Sequence, residues 1–164
     1  MIYFTADTHF GHANIIRHCS RPFRDADEMN REIIRRWNEL VHQDDIVYHL
    51  GDFAFRGKDP LTYRQRLNGR IIFIAGNHDK RRDIERAGFE SIHDLLQVSI
   101  DGTPIVLCHY AMRVWNKSHH GALHLYGHSH GTLPGTAQSL DVGVDCWDFQ
   151  PVTLVEIKRR LSQQ

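Results

Sequence analysis

The sequence predicts an α/β layered sandwich, on three observations. Short apolar runs alternate with segments of helical period through the first half of the chain. In the second half the apolar runs follow one another across turns, as strands pairing in hairpins do. Most of these runs also stop on glycine, aspartate, asparagine or histidine, so polar side chains gather where strands end.

Residues 2–6 (IYFTA) form the first strand. Residues 27–42 (DEMNREIIRRWNELVH) form an amphipathic helix: Ile33, Ile34, Trp37, Leu40 and Val41 follow the helical spacing. Asp25 or Asp27 is positioned to cap it. Residues 45–50 (DIVYHL) form a second strand ending in Gly51-Asp52, and Pro60 opens a helix running to Leu67. Residues 70–75 form the third strand and 81–87 a short helix. Residues 95–109 (LLQVSIDGTPIVLCH) make a hairpin around Asp101-Gly102. Residues 123–127 and 139–145 add two strands. Thr153 and Glu156 have the spacing of a capping box opening a helix over 154–161, although Val152, Leu154 and Ile157 also fit a strand. With no internal repeat or linker, residues 1–164 are expected to be one domain, a length sufficient for a proper core.

Composition bounds the function. Twenty basic and twenty acidic side chains cancel, so overall charge favours neither nucleic acid nor membrane. No apolar run approaches the roughly 20 residues of a membrane span. The stretch MIYFTADTHF lacks the basic and long apolar regions of a signal peptide. Cys19, Cys108 and Cys146 form neither a disulfide framework nor a thiolate zinc site, which suits a reducing cytoplasm. The unusual feature is 13 histidines, concentrated in short glycine-containing motifs.

Those motifs close the predicted strands: Asp7-Thr-His9, Gly51-Asp52, Gly76-Asn77-His78-Asp79, His109, and Gly127-His128-Ser129-His130. The carboxyl ends of strands in an α/β sheet share one edge, where ligands bind. Each motif alone is weak: a lone His109 is more often a core histidine, and Gly-Asp is often just a turn. Together they assemble carboxylates, an amide and imidazoles without thiolate, a set that selects Mn, Fe, Zn, Co or Ni. Seven ligands exceed one tetrahedral ion and suit two ions sharing a carboxylate, roughly 3.5–4 Å apart.

The five motifs resemble the calcineurin-like metallophosphoesterase superfamily, whose pattern is D-x-H, G-D, G-N-H-[DE], a single His, and G-H-x-H. TADTHFGHANII further resembles a branch of small single-domain bacterial and phage members. The resemblance implies a four-layer α/β/β/α sandwich. It implies two divalent transition-metal ions, manganese first, with Fe, Ni, Zn or Co as alternatives. Asp7, His9 and His130 would hold one ion and Asn77, His109 and His128 the other, with Asp52 bridging. The implied activity is phosphate-ester hydrolysis by a metal-bridging hydroxide. His78 would be the general acid, and Asp79 would orient it and raise its pKa. The family often carries a further acidic residue after G-D; GDFAF has none, at a position that is not a ligand.

Substrate specificity falls to the loops. His12, Arg21 and Arg24, then Arg56 and Lys58, then Arg113, Trp115 and Lys117 are the candidate contacts. Against them stand a helix-start histidine, solvated arginines and a tryptophan that packs its own loop. Basic loops near an open cleft favour a phosphodiester such as a cyclic nucleotide or an RNA end. The alternatives are a phosphomonoesterase or phosphoprotein phosphatase, a non-catalytic metal-binding scaffold, and a nucleic-acid-binding module with structural metals. Intact ligands and His78 argue against the last two. Oligomeric state stays open, with Trp147 and Phe149 as either an interface or packing under the last helix.

Overall fold

The computed structural model describes residues 1–163. Among the described residues, nine strands form two sheets. In the first, β1 (Ile2–Thr5), β2 (Ile46–His49), β3 (Arg70–Ile74) and β4 (Ser91–His93) run parallel in the order β4-β3-β2-β1, and β9 (Val152–Thr153) adds an antiparallel edge beside β1. In the second, β5 (Leu95–Ile100) pairs antiparallel with β6 (Thr103–Cys108). β7 (Leu123–Tyr126) and β8 (Ser139–Asp141) then extend the sheet in parallel. The expectation that the later strands pair as hairpins therefore holds for β5–β6 alone. The connections into β7 and β8 cross over.

Alternation along the first sheet divides the apolar residues between two cores. Val47, Ile71 and Phe73 face Met29, Ile33, Ile34 and Trp37 of α2 (Ala26–Leu40), all buried. Asp25 caps α2, accepting from Glu28 N at 2.8 Å. Ile15 of α1 (Ala13–His18) and Ile84 of α4 (Arg81–Glu85) join this cluster, and α3 (Pro60–Arg64) opens on its proline. Phe4, Tyr48, Leu50 and Ile74 point the other way, onto Ile105, Leu107, Leu123, Leu125 and Leu140 of the second sheet. α5 (Leu154–Leu161) closes this second core with Leu154, Ile157 and Leu161. Its capping box, Thr153 with Glu156, is formed, so Val152–Thr153 is a short strand and residue 154 opens the helix.

The outer face of the second sheet is covered by residues 112–122. Met112 N donates to His124 Nε2 at 3.0 Å, Trp115 packs on His124, and Trp115 Nε1 donates to Ala122 O at 2.9 Å. Trp147 is buried, with its Nε1 on Asp141 O and Arg160 stacked on its ring. Phe149 is half-buried against Phe23. Both aromatics pack within the fold. No described helix is long and apolar enough to cross a membrane.

Candidate metal centre

Five strands deliver polar residues at their carboxyl ends. β1 leads to Asp7 and His9, β2 to Asp52, β3 to Asn77 and His78, β6 to His109, and β7 to His128 and His130. Backbone bonds fix these turns against one another: Asp7 N to Gly51 O at 2.9 Å, His9 N to Asp52 O at 3.0 Å, and Gly127 N to His109 O at 3.0 Å. Val144 N donates to Ala6 O at 3.0 Å, which ties the two sheets together beside the site. All seven expected ligands thus share one crevice.

The backbone is strained there. Asp7, His9, Asp52, His128 and His130 have φ of 58°, 48°, 55°, 66° and 47°. A non-glycine residue in this left-handed region costs on the order of 1 kcal/mol and persists only where its surroundings dictate it. Close approach also demands glycine: a Cβ on Gly76 would lie 2.4 Å from Asp52 Oδ1, and one on Gly127 2.8 Å from Asp7 Oδ2.

The side chains form two triads, Asp7–His9–His130 and Asp52–His109–His128, each able to place one atom per residue within 4.8 Å of the others. Asp52 Oδ2 links them, lying 3.6 Å from His9 Nε2 and 3.5 Å from His109 Nε2. The chemistry of this donor set fits cations. His109 Nδ1 sits 2.7 Å from the Leu50 carbonyl and must donate to it, which leaves Nε2 with a bare lone pair. That lone pair faces Asn77 Oδ1 at 3.0 Å and Asp52 Oδ2. Three acceptors converging on one point need positive charge between them. In the other triad Asp7 Oδ1 and both nitrogens of His9 are buried without a partner, a costly arrangement unless something binds them. Burial, with the Asp141 and Asp52 carboxylates, holds Asp7 well above the usual carboxylate range in the metal-free chain. Burial and neighbouring cationic groups push His9 down. A divalent cation reverses both penalties.

His78 borders this centre. Its N–H donates to Asp52 Oδ1 at 2.9 Å, its Nε2 lies 3.9 Å from Asp52 Oδ2, and its side chain is 40% exposed. Asp79 does not orient that ring, contrary to expectation. Its carboxylate accepts from Asp52 N at 2.7 Å, Gly76 N at 2.8 Å and Phe53 N at 3.0 Å. It is a positioning group that joins the Asp52 turn to the Gly76 turn, because three N–H donors outcompete a solvent-facing imidazole. Burial nevertheless pushes its carboxyl up to about 6.

Arg21 also departs from expectation. It is 4% exposed, so it is neither a solvated arginine nor a substrate contact. Its Nε and Nη2 make a bidentate pair with Asp145 at 2.8 Å each, and it donates to the carbonyls of Asp7 and Thr8. Asp145 accepts in turn from His130 Nδ1 at 2.7 Å. Burial pushes the Asp145 carboxyl up, but these hydrogen bonds outweigh it and bring the pKa below the usual range. Cys19 lies near enough to join His130 and Asp145 as a ligand set. Both Asp145 oxygens are engaged, and burial pushes the thiol up to about 11, so thiolate is disfavoured.

Asp141 ties down the last motif, accepting from Ser129 Oγ at 2.5 Å, Gly131 N at 3.1 Å and Gly143 N at 2.7 Å. Sequence reasoning missed Asp141 and Asp145. The available signal was two carboxylates inside the apolar run SLDVGVD. Of the loop candidates, His12 stacks on Phe55 at 4.2 Å and lies against His9. Arg56 reaches Asn77 O at 3.4 Å. Arg113 is exposed on the segment that packs over His124. Tyr110, 47% exposed, stands edge-on to His109 and His128 and borders a cavity of about 320 Å³ shared with Asn77 and Ile84.

Comparison with known proteins agrees with this architecture. Residues 1–142 match the sequence model of the calcineurin-like phosphoesterase superfamily domain. An uncharacterized protein of Methanocaldococcus jannaschii is 34% identical over 163 residues, covering 93% of this chain and 86% of the relative. A solved structure of a protein of unknown function from Aquifex aeolicus superposes with a TM-score of 0.79 at 27% identity, over 98% of both chains. A solved archaeal phosphodiesterase shares the fold, with a TM-score of 0.50 at 22% identity over 87% of this chain and 81% of that one.

Proposed function

The chain belongs to the calcineurin-like phosphoesterase superfamily, and from that premise we propose that it is a metal-dependent phosphodiesterase acting on nucleotide or nucleic-acid-type esters. The observation that carries the reading is the pair of triads joined through Asp52 Oδ2, with His78 on their open side. Asp7, His9 and His130 would hold one divalent ion, and Asn77, His109 and His128 another, with Asp52 between them. Bound there, such ions act as Lewis acids on the phosphoryl oxygens.

The chain's own groups do the rest. Burial of Asp7, His9, Asp52 and His109 at and beside strained turns fixes their geometry before substrate arrives, so little reorganisation accompanies the reaction. His78 would give its Nε2 proton to the ester oxygen as a water oxygen bonds to phosphorus and the phosphorus–ester oxygen bond breaks, the water's own proton passing to solvent. Asp52 Oδ1 accepts from the His78 N–H and Asp79 holds the turns on either side, so the imidazole stays over the ligands. Exposed Asn77, Tyr110 and His128 leave room for a second ester arm, which favours a diester. On this reading Arg56 would meet a phosphate and Tyr110 a base.

The test is hydrolysis of bis(p-nitrophenyl) phosphate beside p-nitrophenyl phosphate, on metal-stripped protein with Mn, Ni, Zn or Mg restored. Metal-restored cleavage of the diester, lost in Asp52→Ala, is expected. On a diester with an alkoxide leaving group, His78→Ala should lower kcat roughly 10²–10⁴-fold. An unchanged rate there removes the role given to His78. Preference for the monoester selects a phosphatase instead, and no turnover despite bound metal selects a scaffold.

A further inference from the structure

We propose that Arg21 and Asp145 are positioning residues that set the metal affinity of the Asp7–His9–His130 triad, by holding His130 with its Nε2 lone pair free to ligate. The proposal rests on the reading that this triad binds a divalent ion. It goes beyond that reading by assigning control of the triad to a buried ion pair between distant parts of the chain.

Every polar atom of the pair is committed. Asp145 Oδ1 accepts from Arg21 Nε at 2.8 Å. Asp145 Oδ2 accepts from Arg21 Nη2 at 2.8 Å and from His130 Nδ1 at 2.7 Å. Arg21 Nη2 continues to Asp7 O at 2.7 Å and Nη1 to Thr8 O at 3.2 Å. The guanidinium is fully buried and the carboxylate 7% exposed. A carboxylate can only accept, so His130 must carry a proton on Nδ1, and in the neutral ring the Nε2 lone pair is then the free one. One guanidinium therefore reaches the ligand carboxylate's own backbone and, through Asp145, the ligand imidazole.

The charges point the same way. A buried arginine beside a dication would repel it, and Asp145 cancels that charge. Stability alone is a poor reason for such a pair, since a buried ion pair roughly breaks even against apolar packing. Orienting a ligand is what a carboxylate behind a metal-bound imidazole does, and its removal typically costs about 10–100-fold in metal affinity.

The experiment compares wild type, Asp145→Asn and Arg21→Lys as full-length apoproteins, titrated with Mn²⁺ by calorimetry and electron paramagnetic resonance. The protonated ring nitrogen of His130 is read in parallel from ¹⁵N shifts. In Asp145→Asn the amide must turn a donor toward either Arg21 or His130. The expected result is roughly 10–100-fold weaker Mn²⁺ binding at one class of site, with the other class unchanged. The proton of His130 should move from Nδ1 toward Nε2. Arg21→Lys keeps the charge but loses the fork, and should weaken the same site by less.

Unchanged Mn²⁺ affinity in a folded Asp145→Asn overturns the proposal, because a merely structural pair would alter melting and leave the tautomer alone. If that variant fails to fold, an Nε2 proton on His130 in wild-type apoprotein overturns it equally. A wild-type chain that takes up no Mn²⁺ rejects the metal-binding premise instead, and the wild-type titration alone separates that failure from the others.

Discussion

Histidine plays two opposite parts in this chain, and burial alone does not separate them. His9 is buried with both ring nitrogens unpartnered, as a ligand awaiting a cation would be. His124 is buried with both satisfied, Nδ1 donating to Val106 O at 3.0 Å and Nε2 accepting from Met112 N, so it is a neutral packing group. His49 is likewise a packing group, although only its Nε2 has a partner and its Nδ1 is buried without one. It stacks on Phe73, donates from Nε2 to Thr8 Oγ1 at 3.1 Å, and burial brings its pKa down to about 3. A histidine depressed in the folded state contributes stability that is present above its unfolded pKa near 6.5 and is lost as pH falls toward the folded value. In EDTA, urea unfolding should therefore show about 2 kcal/mol less stability at pH 5 than at pH 7 from this residue. His49→Gln, which keeps an N–H donor, should flatten that slope. An identical pH dependence in the variant would mean that other groups carry the acid sensitivity. The candidate ligands were legible in the sequence because each closes an apolar run, several of them beside a glycine. Arg21 and Asp145 were not, because each takes its role from a partner 124 positions away.

Secondary structure was legible where local chemistry alone decides it. The α5 bounds and the Thr153–Glu156 box followed from a capping pattern, and the β5–β6 hairpin from Asp101-Gly102, both at positive φ. Thr153 Oγ1 accepts from Glu156 N at 3.4 Å while Glu156 Oε2 accepts from Thr153 N at 2.8 Å. Thr153→Ala should cost about 1 kcal/mol in chemical denaturation. A loss below a few tenths would show that burial of Leu154, Ile157 and Leu161 holds the helix without its cap. What failed was pairing direction and the shortest elements. Parallel neighbours normally imply a crossover helix. The crossover into β7 carries only a 3₁₀ turn at Ser118–His120, so nothing local announces that β6 and β7 run the same way. α1, β4 and β9, of six, three and two residues, are too short to establish a period, and tertiary pairing creates them.

The two sheets meet twice, through the apolar core between them and through the ligand crevice. Asp7, His9, Asp52 and Asn77 come from the first sheet, and His109, His128 and His130 from the second. His128 N donates to Asp7 Oδ2 at 2.8 Å and Ala6 bridges to Gly143, and the junction encloses unpaired acceptors and a carboxyl whose pKa burial and neighbouring carboxylates raise well above its ordinary range. Cations bound there would join one sheet to the other at their most strained turns, and binding to the folded chain alone adds to its stability by mass action. At a free Mn²⁺ concentration 100 times Kd, one site contributes about 2.7 kcal/mol. For a chain of this size that raises Tm by about 5–10 °C. Differential scanning calorimetry should show one transition for the metal-free chain, since the core is continuous between the sheets, displaced upward as a whole by Mn²⁺ and returned by EDTA. Asp52→Ala, which removes the group that links the two triads, should lose most of the shift. Two transitions, only one of them moved by metal, would show instead that the sheets unfold separately and that the ligands belong energetically to one of them.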